Sequence, residues 1–344
     1  MSGPDAPDST DWRVFRATGR APGEPSRLPG PPPWRRFGGG PPLLPPPDDP
    51  EAALRRLGPG DHVPQLGPEQ IDTVNAALLL RRPLLITGPP GIGKSTLAYL
   101  LSRELRLGRV LQWNIVSRTT LRDGLYAYDA IGRAQAIAAW QGAEQRTPAD
   151  GGPPPALGDF ITLGPLGTAL LPYDRPRVLL VDELDKSDID LPNDLLHVLE
   201  NGSYDIPELV RDAARSARVH TDDPEQFAPV SGGRVECREF PVVLITSNGE
   251  REFPAAFRRR CLPLEMRALT REQLLAIVSG HLGSLPPDAE AMVDLFVRRV
   301  RAGGTHSLDQ LLNAARLTTV DGFRAEGEGR KLIETLLRDL AKGR

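Results

Sequence analysis

The chain is poor in residues that hold proteins together by covalent or metal chemistry. Cysteine occurs only at Cys237 and Cys261 in 344 residues. Two isolated thiols give no disulfide framework and no CxxC pair for zinc. Aromatic residues make up 5% and the formal net charge is -3. The basic stripe and stacking side chains of a nucleic-acid binder are therefore not evident. No run approaches the roughly 18 apolar residues of a membrane helix. The start of the chain lacks the basic-then-apolar pattern of a signal peptide. A cytoplasmic protein with reduced thiols is the expectation. Lysine is scarce too: of 42 basic residues, only Lys94, Lys186, Lys331 and Lys342 are lysines. A lysine kept against that bias marks a place where a planar guanidinium fits poorly.

What is plentiful is glycine (34) and proline (36), and their placement divides the chain. Residues 1–60 carry Pro29-Gly30-Pro31-Pro32-Pro33, Gly38-Gly39-Gly40 and Pro45-Pro46-Pro47. Such a segment buries too little apolar surface to offset its ordering entropy, so it reads as a disordered tail. Trp12, Phe15, Trp34 and Phe37 offer the alternative of docking onto its own or another domain.

From Pro64 the texture changes. A helical run over Gln70–Leu80 precedes short, continuously apolar runs at Leu84–Ile86, Val110–Trp113, Val178–Val181 and Val242–Ile245, with a weaker one at Leu262–Leu264. Continuous apolarity is the mark of parallel strands buried on both faces. Helical stretches lie between them, so residues 61–267 read as a doubly wound α/β domain with a five-stranded parallel sheet. Two long interruptions, Gln141–Arg175 and Gly202–Arg238, break the rhythm. Loops of that length are functional or disordered in most compact domains. Residues 268–344 are helical in pattern, with capping boxes at Thr270/Gln273 and Ser307/Gln310, and read as a small bundle of four helices.

The chemistry starts at Gly88-Pro89-Pro90-Gly91-Ile92-Gly93-Lys94-Ser95, a G-x-x-x-x-G-K-[ST] loop between a strand and the helix opening at Thr96. Its glycines let backbone N–H groups wrap a phosphate at a helix N-terminus. Lys94 is a compact charge for the β- and γ-phosphates, and Ser95 offers an oxygen to Mg²⁺. Val178–Val181 ends in Asp182-Glu183, two carboxylates at the C-terminal edge of the sheet, where ligands of open α/β sheets sit. Asp182 suits Mg²⁺; Glu183 suits polarising an attacking water. Val242–Ile245 runs into Thr246-Ser247-Asn248, which puts an amide beside the acidic strand or simply makes a turn.

These elements in this order, followed by a helical bundle, resemble an AAA+ P-loop NTPase, and more closely its MoxR-like branch. The likeness rests on Gly88–Ser95, on Phe160-Ile161-Thr162-Leu163-Gly164-Pro165-Leu166, on Val178 through Lys186, and on Ile245–Asn248 followed by Pro254-Ala255-Ala256-Phe257-Arg258-Arg259-Arg260-Cys261. It spans residues 64–344. It implies ATP and Mg²⁺ as cofactors, with Gly88 through Thr96 and Asp182 around the nucleotide and Glu183 as catalytic base. It also implies Asn248 as sensor 1 and a helical lid at residues 268–344. The same resemblance implies an arginine finger reaching a neighbouring subunit, Arg260 by position with Arg259 as fallback. The cluster's other reading is a solvated basic loop or nucleic-acid contact.

A finger acting in trans needs a homo-oligomer, for which the family expectation is a hexameric ring. The expected work is ATP-driven remodelling of a protein client, with a separate von Willebrand factor type A domain protein as partner. The alternatives are a nucleic-acid motor or loader and an ATP-gated scaffold with little turnover. Two departures stand out. His306 occupies the sensor 2 place, with Arg316 further along the helix, and Gly202–Arg238 is longer than the loop expected before sensor 1.

Overall fold

The computed structural model describes residues 12–20, 28–58, 66–144, 153–212, 214–286, 288–302 and 306–338. Parts of the segment read as a tail (1–11, 21–27, 59–60) and the adjoining residues 61–65 lie outside them. So do the glycines before His306 and Gly151-Gly152 of the first interruption.

The strands are β1 (Leu84–Thr87), β2 (Leu111–Asn114), β3 (Tyr126–Tyr128), β4 (Ile161–Leu163), β5 (Val178–Asp182), β6 (Ser203–Asp205), β7 (Ser216–His220), β8 (Phe227–Ser231), β9 (Arg234–Glu236), β10 (Val242–Ser247) and β11 (Leu262–Glu265). Five of them form the expected parallel sheet in the order β11-β1-β10-β5-β2. The continuous apolar runs exist because both faces are covered. Leu85, Leu179, Val181, Val243 and Ile245 enter one core cluster, while Leu84, Ile86, Val178, Leu180, Val242 and Leu244 enter the other. Period-two alternation thus sends apolar side chains to both sides.

The interruptions are not structureless. Together with the segment around Tyr126, they build a second, six-stranded sheet in the order β3-β4-β7-β8-β9-β6. All its pairs are antiparallel except β4 with β7. Gly202–Arg238 supplies four of these strands.

The helices Arg271–Leu282, Ala289–Arg301, Leu308–Leu317 and Glu328–Leu336 form the C-terminal bundle around Val278, Val293, Phe296, Leu311 and Ala314. Both capping boxes form: Thr270 with Gln273 and Ser307 with Gln310 close reciprocal hydrogen bonds.

The described stretches of residues 12–58 are laid along the core, which corrects the reading of a disordered tail there and favours the docking alternative through Phe15 and Phe37. Phe15 is fully buried in the cluster beneath the phosphate-loop helix. The Asn75 Oδ1 accepts the N–H groups of Val14 (2.7 Å) and Phe15 (2.9 Å), and its Nδ2 donates to the Phe15 carbonyl at 2.7 Å. The Glu104 carboxylate accepts the N–H groups of Arg16 (2.5 Å) and Thr18 (2.8 Å). Arg13 pairs with Asp72 at 2.6 Å. Farther on, Phe37 stacks on Phe240 and Leu43 bridges to Tyr173. Trp12 and Trp34 stay exposed. The physical reason is that the receiving groups, Asn75 and Glu104, bind the segment's main chain and lie far from it in sequence.

Candidate nucleotide-binding site

The C-terminal edges of β1, β5 and β10 bring the expected residues together. Gly88–Ser95 follows β1 and opens the helix Thr96–Leu105. Lys94 is 6% exposed, and its Nζ donates to the carbonyls of Gly88 and Pro89 (2.8 Å each) and to Asn248 Oδ1 (2.7 Å). Burial pushes the Lys94 ammonium below the usual lysine range, against the opposing pull of Asp185, Asp182 and Glu183. Ser95 Oγ and Thr246 Oγ1 both donate to Asp182 Oδ1, at 2.7 and 2.6 Å. Gln112 Nε2 reaches Asp182 Oδ2 at 3.4 Å.

Glu183 leaves β5 in the left-handed region, with φ 61 and ψ 47. That conformation costs a non-glycine residue of the order of 1 kcal/mol or more. It is held by the Glu183 N–H donating to Thr246 Oγ1 at 2.8 Å. The carboxylate accepts from Asn248 Nδ2 (3.2 Å) and Lys186 Nζ (2.5 Å). Glu183 in turn raises the Lys186 pKa through that bond. Buried Asp185 orders the chain after β10 by accepting the N–H groups of Asn248 (2.8 Å) and Glu250 (3.0 Å). Sequence reasoning gave no role to Thr246, Asp185, Lys186 or Gln112. The first three lie inside motifs already singled out, whereas Gln112 carries no signal beyond its strand.

A cleft of about 460 Å³ lies over this network, a size that suits a small-molecule ligand. The core lines it with Pro90, Gly91, Gly93 through Thr96, Asp182, Glu183, Thr246 and Asn248, and the lid with Ile277, His281, Ser307, Leu308, Asp309 and Leu312. Loop and lid touch at Gly91, whose carbonyl accepts the Leu308 N–H at 3.0 Å. Gly91 has φ 72, and a Cβ there would stand 2.5 Å from Ser307 Cα. Only glycine fits that approach.

The remaining expected residues lie elsewhere. Arg260 pairs with Glu200 and donates to the Ala256 carbonyl at 3.1 Å. Arg259 Nε donates to the Ala255 carbonyl at 3.3 Å. Neither lines the cleft of its own chain. His306 is buried beside Phe296 on a separate cavity, and Arg316 bonds Thr319 at the surface. Neither reaches the cleft, so among the described residues the lid brings it no arginine or lysine. The described residues hold no cluster of three or more His, Cys, Asp or Glu suited to a metal, and no helix long and apolar enough to cross a membrane.

The sequence profile of the AAA domain (dynein-related subfamily) matches residues 83–261, more than half of the chain. The chain belongs to this family. The matched region runs from the residue before β1 to Cys261 before β11, and so contains the phosphate loop, the acidic strand end and Asn248. Outside the match, this AAA protein adds the N-terminal segment and the C-terminal helical bundle.

No curated protein matches it in sequence. Among solved structures it is similar to NtrX from Brucella abortus in complex with ADP (15% identity, TM-score 0.40), covering 78% of this chain and 54% of that one. It is also similar to a Thermotoga maritima RuvB mutant (14%, TM-score 0.37), covering 79% and 64%. A second NtrX structure, in complex with ATP, matches at 17% identity and TM-score 0.36, covering 74% and 52%. The chain thus spans less than two thirds of each.

Proposed function

We propose that this AAA protein binds ATP with Mg²⁺ and hydrolyses it at junctions between its own copies, as a MoxR-like motor that remodels or assembles a protein client. One observation carries the reading: Lys94, Ser95, Asp182, Glu183 and Asn248, at the C-terminal ends of three strands, join through Thr246 into one hydrogen-bonded network under the C-terminal bundle. Backbone N–H groups of Gly91 through Thr96 and the Lys94 ammonium would receive the phosphates once Lys94 leaves the Gly88 and Pro89 carbonyls. Ser95 Oγ and Asp182, hard oxygens already in contact, suit Mg²⁺, which would neutralise charge on the phosphates. Glu183, shared between Asn248 and Lys186, is the base that takes a proton from water, and Asn248 orients that water. Arg260, or Arg259 beside it, reaches the γ-phosphate of the adjacent copy, so a working site needs an assembly of copies, a ring in its closed form. A separate von Willebrand factor type A domain protein is the proposed partner in client work.

The test compares wild type with Glu183→Gln, measuring phosphate release and, by mass photometry, assembly with ATP and Mg²⁺. The expected result is a defined oligomer for both, with hydrolysis lowered on the order of 100-fold or more in the variant. Assembly of wild type with negligible turnover, even with partners present, would favour the gated scaffold. Salt-dependent binding to DNA would favour the nucleic-acid motor. Wild type that stays monomeric with ATP overturns the trans finger.

A further inference from the structure

The cleft has a wall upstream of the matched family region. The helix Pro50–Leu57 places Arg55, Arg56 and Leu57 in the lining beside Lys94, Ser95 and Thr96. The helix is encoded locally. Asp49 caps it by accepting the Ala52 N–H at 2.9 Å, Pro50 opens its first turn, and Arg55 and Arg56 close its last. Leu57 and Ala52 join the core cluster of the phosphate-loop helix. The lid fixes the far end. Gly58, with φ 76, lies under the His281 imidazole, where a Cβ would come within 3.1 Å of the ring.

Arg56 is aimed at the phosphate machinery. Its guanidinium lies 5.8 Å from the Tyr99 ring centroid, and its Nη2 stands 3.5 Å from Gln112 Oε1. Gln112 in turn donates to Asp182, which holds Ser95. Arg56 forms no ion pair with any described carboxylate, and Arg55 comes only to 3.9 Å from Glu51. Lys94, Arg55 and Arg56 are the arginines and lysines in the cleft lining among the described residues, set against Asp182, Glu183 and Asp309. Among the described residues, the lid gives that lining a carboxylate, Asp309, and the imidazole of His281, but no guanidinium. A polyphosphate in this cleft therefore meets Lys94 from the core and the two arginines from the N-terminal helix.

We propose that Arg56, seconded by Arg55, contacts the phosphate chain of the nucleotide bound to its own chain, from the N-terminal helix, where the described residues of the C-terminal bundle supply no arginine or lysine. This rests on the ATP reading above. It makes residues 50–58 part of the nucleotide site and gives the N-terminal segment a direct sense of the phosphate state.

The experiment measures ATP, ADP and adenosine affinity by calorimetry on the full chain. It compares wild type with Arg56→Ala, Arg56→Lys, the Arg55→Ala/Arg56→Ala double variant and Lys94→Ala. Arg56→Ala is expected to weaken ATP about tenfold or more, ADP less and adenosine not at all, the effect of one lost charge-assisted bond. Arg56→Lys restores part of the loss, and the double variant deepens it. Equal losses for all three ligands would show a merely structural helix and overturn the inference. ATP affinity within twofold of wild type, while Lys94→Ala abolishes binding, would overturn it alone. Wild type that binds no ATP removes the ATP reading and this inference with it.

Discussion

Strand β5 has charge at both ends, and the two ends are built in opposite ways. At its start Arg177 is fully buried and holds both carboxylate oxygens of Asp223, at 2.7 and 2.8 Å. Arg109 joins Asp223 at 3.1 Å and Asp222 at 2.9 Å, and Arg177 lies 5.0 Å from the Tyr173 ring centroid. At the other end Asp182 and Glu183 are only partly covered, and the Glu183 backbone is left-handed. Their partners include two groups proposed to serve the reaction, Ser95 and Asn248, beside Lys186 and Thr246. A sealed, bidentate pair fixes where the chain goes. Here it ties the Gly202–Arg238 insertion, through Asp223, to the foot of the central sheet. An open carboxylate that shares its bonds can exchange them for a ligand. Burial and partner identity, rather than charge itself, separate architecture from chemistry on one strand.

The sharpest way to break this comparison is to remove one carboxylate at each end. Asp223→Ala leaves Arg177 charged and unpaired in the interior, which costs about 3–5 kcal/mol. Asp182→Ala, at a half-open site, should cost about 1 kcal/mol or less while abolishing the Mg²⁺-dependent hydrolysis proposed above. Urea unfolding of the two variants beside wild type decides it. Equal losses at the two ends would erase the distinction.

A smaller effect is expected where the N-terminal segment meets the core. Asn75 serves two N–H groups and one carbonyl of Val14 and Phe15. Asn75→Ala strands these main-chain groups and should cost about 1–3 kcal/mol. Hydrogen exchange distinguishes a local from a global loss. Residues 12–20 should open first while amides of β5 and β10 keep their protection. Uniform loss of protection would make the segment part of the cooperative core.

How much of this was legible follows from the kind of signal each part carries. The central sheet was readable because strands buried on both faces leave continuous apolar runs, as in Val178–Val181. The juxtaposition of Gly88–Ser95 with Asp182-Glu183 was readable because phosphate chemistry, the role proposed for them, restricts residue type and spacing together. The second sheet was not. Its strands are half-exposed, with Ala228 and Val230 buried between exposed neighbours in β8, and Pro229 speaks against a strand. Docking of Phe15 was open as an alternative, but its place was hidden because the receiving groups, Asn75 and Glu104, lie some 60 and 88 residues downstream of the main-chain groups they bind. The helix Pro50–Leu57 did leave a signal, an Asp-Pro start before Ala52, Ala53, Leu54 and Leu57, but proline density on either side masked it.

The smallest expected effect concerns the cation at the open end. Lys94 is nearly buried among carbonyls, and burial holds its pKa below the ordinary 10.5. Between the folded and unfolded values the unfolded chain binds the extra proton, so the nucleotide-free fold should gain stability as pH rises through that window. Nucleotide affinity should move the other way, because the phosphates need the ammonium charged. Lys94→Met removes both trends. Unfolding and ATP titrations at stepwise alkaline pH, wild type beside Lys94→Met, check the sign. A wild type whose stability and ATP affinity fall together with pH would mean that a group other than Lys94 governs the alkaline behaviour of the site.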